Sequence, residues 1–191
     1  MAKLQYLVIH CTATPEGRKV SSAEIRRWHT DPLPAGRGWK QVGYTNIIHL
    51  DGSIERLVDN NEDNNVDNWE ITNGVAGYNS ISRHIVYVGG VDKNLKPKDT
   101  RTDAQEEALK LYVKDFQQRF PEVKIVGHNE LADKDCPSFD VQQWLSEINR
   151  KPEVITVIPD TIPETVPVAE PSFIQSLFNS FKNSLKKWKL F

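Results

Sequence analysis

Residues 85–90 read Ile-Val-Tyr-Val-Gly-Gly, and this stretch decides the architecture. Four apolar residues in a row, three of them β-branched and one aromatic, leave no polar face. The strand they predict is therefore covered on both sides and lies in the middle of a sheet. The Gly-Gly pair ends it. Such a strand needs neighbours and covering layers, and the flanking sequence supplies both. Tyr6 to Ile9 is a second β-rich run, ending at His10. Gly43 to Leu50 is a third, closed by the turn dipeptide Asp51-Gly52, with Ser53 to Val58 as its hairpin partner. Val123 to Val126 is a fourth.

Helices alternate with these runs. Ser21-Ser22-Ala23-Glu24 is a capping box that opens a short helix through Trp28. Thr102-Asp103-Ala104-Gln105 is another; its helix carries Ala108, Leu109, Tyr112, Val113, Phe116 and Phe120 on one stripe and stops at Pro121. Asp140 starts a third helix through Trp144. The expected fold is α/β, a central mixed β-sheet flanked by helices. Residues Asn60 to Asn79 are polar and asparagine-rich and read as a long loop.

The 191 residues suit one domain with a piece appended. Lys and Arg number 24 against 26 Asp and Glu, a formal net charge of −2, which gives no electrostatic field for nucleic acid. No apolar run exceeds four residues, against roughly 20 for a bilayer span. The N-terminus is too short in apolar residues for a signal-peptide core, so synthesis in the cytoplasm without a signal peptide is expected. Composition shifts at Lys151. The expected organisation is a domain at 1–150, a Pro-rich acidic linker at 151–171 with five prolines, and a cationic amphipathic helix at 172–191. That last segment sets Ile174, Leu177, Phe178, Phe181, Leu185 and Trp188 on one stripe beside four lysines. It suits an anionic membrane surface; packing on the domain or self-association are the alternatives. A monomer is the favoured state.

Three residues with soft or borderline donor atoms stand where strands end: His10, His128 and, eight positions on, Cys136. Two histidines and one cysteine would give a zinc ion three protein ligands and leave a fourth position open, as catalytic sites do. The same residues also fit a buried thiol and two hydrogen-bonded histidines. Lys134 stands two residues before Cys136; its charge fits a role against a developing oxyanion, and equally a surface position beside Asp133 and Asp135. Tyr44 either orients a water or substrate carbonyl or packs in the core. Cys11 follows His10 directly, so its side chain points to the opposite sheet face and reads as a core thiol. His29, His49 and His84 read as structural or exposed.

Five segments carry a resemblance: Val8 to Thr14 (VIHCTAT), Val42 to Ile54 (VGYTNIIHLDGSI), Ala76 to Asn79 (AGYN), Val88 to Asp92 (VGGVD) and Gly127 to Val141 (GHNELADKDCPSFDV). In this order they closely resemble the zinc-dependent N-acetylmuramoyl-L-alanine amidase family that includes phage T7 lysozyme and peptidoglycan recognition proteins. The likeness is greatest to the phage branch and covers about residues 4 to 146. It implies a Zn2+ cofactor held by His10, His128 and Cys136, with Tyr44 and Lys134 as catalytic residues. It also implies a peptidoglycan substrate cut between N-acetylmuramic acid and L-alanine, and action at the bacterial cell wall after release or delivery. A non-catalytic peptidoglycan-binding or protein-binding module is the alternative. The sequence departs from the family's Ser-Ile-Gly at Ser82-Arg83-His84, has Thr45 where the phage relative has histidine, and carries a longer loop from Asp63 to Gly77 with Trp69. These departures bear on groove shape and leave the implied ligands in place.

Overall fold

The computed structural model describes residues 1–150; the expected linker at 151–171 and the expected helix at 172–191 lie outside them. Five strands form the main sheet: β1 (Tyr6–Cys11), β2 (Asn46–Ile48), β3 (Ile54–Arg56), β4 (Ser82–Tyr87) and β5 (Lys124–Gly127). Their order is β3-β2-β4-β1-β5, which puts the apolar run of residues 85–88 on the middle strand, as its lack of a polar face requires. All six residues of β4 are buried. β2, β4, β1 and β5 run parallel, and only the hairpin partner β3 is antiparallel. The sheet is mixed because a two-stranded hairpin supplies one edge, while the helix Ser22–Thr30, the long loop after the hairpin and the helix Asp103–Arg119 carry the connections between the parallel strands.

Residue alternation assigns the faces. Leu7, Ile9 and Cys11 of β1 and Ile85 and Tyr87 of β4 pack with Leu109, Val113, Phe116 and Trp144, from α2 (Asp103–Arg119) and α3 (Val141–Asn149). Each fully buried side chain of this size contributes roughly 1.5–3 kcal/mol by leaving water. On the other face Ile47 and Val86 meet Ile25, from α1 (Ser22–Thr30), while Val8 and Val126 meet Val75. One short helix and loops cover this second face, and it is the face on which the site forms.

Both capping boxes are made. Glu24 N–H donates to Ser21 Oγ at 3.2 Å and Ser21 N–H to Glu24 Oε2 at 3.0 Å. Gln105 N–H donates to Thr102 Oγ1 at 3.1 Å, with the reciprocal contact at 3.0 Å. Gln105 also donates its amide to the carbonyls of Ile48 and Val88, at 3.2 and 3.0 Å. One side chain thus caps α2 and ties it to the sheet, which explains its complete burial.

The structure refines the reading of one loop and of Arg83. The asparagine-rich segment contains a two-residue strand, Asn65–Val66, paired antiparallel with Ala2–Lys3. It is organised from within by Glu70, which accepts the N–H groups of Asn61 and Asp67 and faces Arg83 at 3.7 Å. The bulk and charge of Arg83 do not reach the groove: its guanidinium lies over Phe120, 5.4 Å from the ring centroid, on the α2 face of the sheet. The cause is alternation along β4, which sends Arg83 to one face and His84 to the other.

Candidate active site

Strand ends and one turn assemble the site. His10 is the fifth residue of β1 and shares a face with Val8, so its ring emerges on the lightly covered side. β5 ends at Gly127, and His128 opens a single helical turn, His128–Glu130. That turn is fixed by Glu130, whose carboxylate accepts the Gly127 N–H at 2.6 Å and the Gln142 amide at 2.9 Å. Asn129 N–H donates to the Cys136 carbonyl at 2.7 Å, clipping the Cys136 segment to the turn that holds His128. From below, the Tyr87 hydroxyl donates to the Pro137 carbonyl at 2.7 Å. Every anchor of Cys136 is therefore an ordered element of the sheet or its first turn.

The result brings His10, His128 and Cys136 together, with one ligand atom of each within 4.8 Å of the others. His10 Nδ1 lies 3.7 Å from Cys136 Sγ, and the His10 and His128 ring centroids are 4.7 Å apart. Cys136 Sγ also accepts the main-chain N–H of Cys11 at 3.2 Å. Burial, then the neighbouring His84 and His128, hold His10 well below the usual imidazole range. Burial and the Lys134 charge lower His128. Both rings are thus neutral near pH 7, with a lone pair to offer a cation. The Cys11 thiol and burial push the Cys136 thiol up, a preference that a bound cation reverses. Two neutral imidazoles and a thiol make a donor set for a borderline-soft divalent metal.

A cavity of about 500 Å³ opens beside this cluster, lined by His128, Tyr44, Lys134, His29, Trp39 and Asn79 among others. Tyr44 lies with its ring centroid 5.2 Å from that of His10, and burial raises its phenol, so it stays protonated. Lys134 is exposed at the cavity wall. Tyr44, His128 and Lys134 line this cavity, and His128 joins it to the cluster with His10 and Cys136.

The other histidines divide. His49 stands apart from the cluster, bonded to the Val20 carbonyl at 3.2 Å and Glu55 at 3.1 Å. His29 is buried and structural: its Nδ1 accepts the Gly43 N–H at 3.1 Å, which orders the approach to Tyr44. His84 departs from expectation. It is fully buried, and its Nδ1 lies 3.0 Å from His10 Nε2, so it touches a candidate ligand. Alternation along β4 could have named its face; the parallel register that sets it diagonal to His10, with Val8 opposite His84, is not written in either strand. Cys11 is a core thiol, as expected, packed with Ile9 and Tyr87.

Residues 1–139 match the family described as N-acetylmuramoyl-L-alanine amidase. The endolysin of Enterobacteria phage K11 is 34% identical over 153 residues, covering 76% of this chain and 93% of that protein. The endolysin of Escherichia phage T7 is 31% identical over 152 residues, covering 75% and 92%. Among solved structures, the Ph2119 endolysin from the Thermus scotoductus MAT2119 bacteriophage Ph2119 superposes with a TM-score of 0.60 and 25% identity, over 79% of this chain and 88% of that one.

Proposed function

The chain belongs to the N-acetylmuramoyl-L-alanine amidase family and is a peptidoglycan amidase, and on that premise we propose that it works as a zinc enzyme with His10, His128 and Cys136 as the ligands. The amide it cuts joins N-acetylmuramic acid to the L-alanine of the stem peptide. The observation that carries the metal reading is the convergence of two neutral imidazoles and one thiol within 4.8 Å. The donor set fits zinc: bond lengths of about 2.0 Å to nitrogen and 2.3 Å to sulfur put two tetrahedral ligands roughly 3.6 Å apart, and His10 Nδ1 and Cys136 Sγ are separated by 3.7 Å.

When bound, zinc lowers the pKa of water toward 7 and polarises a carbonyl. The chain's own groups do the remaining work. Tyr44, held protonated by burial, donates a hydrogen bond that orients the attacking water or the scissile carbonyl. Lys134 brings its ammonium to the wall of the cavity and stabilises the oxyanion as the carbonyl carbon becomes tetrahedral, a contribution of roughly 3 kcal/mol for a well-placed donor. The cavity beside Tyr44 and His128 takes the peptide stem. No His-Glu-x-x-His segment is present, so a glutamate base of the metalloprotease kind has no counterpart.

A module that binds peptidoglycan without cutting it would not need Cys136 beside the two histidines together with Tyr44 and Lys134 in the adjoining cavity, and that set favours the enzyme. The chain acts at the cell wall as a monomer, with residues 172–191 as a cationic amphipathic contact for anionic membrane; removal of residues 171–191 tests the latter by loss of binding to anionic liposomes. For the zinc reading the test is Cys136→Ser and His128→Ala. Both variants lose bound zinc and release of muropeptide from purified walls, and full turnover by the Cys136 variant overturns the assignment.

A further inference from the structure

Six buried side-chain polar atoms lack a hydrogen-bond partner among the described residues, and one of them, His84 Nε2, belongs to a ring that touches a proposed ligand. The ring is completely buried on the central strand, and its Nδ1 meets His10 Nε2 at 3.0 Å. A buried polar side chain with an orphaned nitrogen is costly in a core, where an apolar residue of the same size would serve packing better. An explanation for its presence lies in what its other nitrogen does.

The surroundings hold the ring in one pose. His84 N–H donates to Thr45 Oγ1 at 3.2 Å, and the His84 carbonyl accepts the Thr45 N–H at 2.8 Å. The face of the ring lies on the backbone of Gly74, so closely that a Cβ there would come within 2.3 Å of His84 Nδ1. Gly74 is the space in which the imidazole sits.

We propose that His84 is a positioning residue for the metal centre: its Nδ1 accepts the His10 Nε2 proton and so turns the His10 Nδ1 lone pair toward the ion. The inference rests on the zinc reading above and follows from tautomers. Nδ1 is the His10 nitrogen that faces Cys136 Sγ, so it must be unprotonated to ligate, which leaves the ring proton on Nε2. The atom facing that proton is His84 Nδ1, which must then be bare, and the His84 proton resides on the orphaned Nε2. Partners of this kind fix the orientation and basicity of a ligating histidine. A neutral imidazole does so without adding a negative charge to a site that already contains a thiolate, and it thereby preserves the Lewis acidity of the metal.

The test compares zinc affinity, by chelator competition on the full chain, for wild type, His84→Leu and His84→Asn. Leucine fills the space without an acceptor; asparagine restores an oxygen near the position of Nδ1. The expected result is a loss of about 10–100-fold for His84→Leu and affinity close to wild type for His84→Asn. Equal affinity in all three, or equal loss in both variants, overturns the proposal, since packing alone would not distinguish leucine from asparagine in this order. Should the leucine variant not fold, nitrogen NMR of the zinc-loaded wild type decides: protons on Nε2 of both His10 and His84 support the proposal, and a proton on His84 Nδ1 overturns it. A wild-type chain that takes up no zinc overturns the zinc reading itself.

Discussion

The main-chain N–H of Cys11 donates to Sγ of Cys136 across 3.2 Å, so the strand that supplies His10 also holds the sulfur of the second proposed ligand. This contact uses the backbone of Cys11, while its thiol packs with Ile9 and Tyr87 and also meets the Cys136 thiol and, at 3.7 Å, Ser138 Oγ. The two cysteines therefore separate by role: one thiol is offered to a metal, while the other fills the core.

Cys11→Ala should keep the N–H contact, bind zinc with unchanged stoichiometry and retain activity, at a cost of roughly 1–2 kcal/mol in stability from the lost core atoms. Gly90→Ala should be worse. Its Cβ would come within 2.3 Å of Cys11 Sγ, on a backbone with φ of +102°, so both space and conformation oppose it. Urea unfolding of the two variants checks the order.

Lys134→Ala should retain zinc and fold stability, since the side chain is exposed, yet lose about 10²–10³ in kcat/KM, the effect expected for removal of one oxyanion donor. Tyr44→Phe should also retain zinc and lower the rate. Metal analysis alongside muropeptide release separates these variants from those at the ligands, where metal and activity disappear together.

Glu70 and Arg83 form a buried pair at 3.7 Å with both side chains almost inaccessible. Glu70→Gln leaves the Arg83 charge unpaired in the core and should cost roughly 3–5 kcal/mol, read as a lower denaturation midpoint. Zinc affinity of the folded variant should not change, because Arg83 lies on the α2 face and the metal cluster on the other.

Burial pushes His29 down to about 4, and its Nδ1 accepts the Gly43 N–H. The sign follows: the unfolded chain takes up this proton near pH 6.5 and the folded chain only near 4. The contribution is complete above about pH 6.5, falls as pH drops through that interval, and levels off below 4. Wild type should therefore lose more stability between pH 7 and pH 5 than His29→Asn, which keeps an acceptor but cannot titrate. Equal losses in denaturant unfolding at the two pH values contradict this.

Much of the fold was legible because its signals are local. The apolar run of residues 85–88 announces a central strand without reference to anything else, and Ser21 to Glu24 and Thr102 to Gln105 announce helix starts by their own side chains. The five proposed site residues come from a different kind of signal: they stand in ordered motifs that resemble a family's. Pairings without local periodicity were hidden. Asn65–Val66 is too short to show an alternating pattern, and its partner Ala2–Lys3 lies more than 60 residues away in the chain. The contact of His84 with His10 depends on strand register, which long-range packing sets. The sides taken by Arg83 and His84 follow from alternation, but only once β4 is known to begin at Ser82.

Zinc held by His10, His128 and Cys136 is tested most directly by metal analysis of the purified full chain coupled to muropeptide release from purified cell walls. One zinc per chain is predicted, with activity abolished by a strong chelator and restored by added zinc. Undiminished release by the metal-free chain would contradict the account.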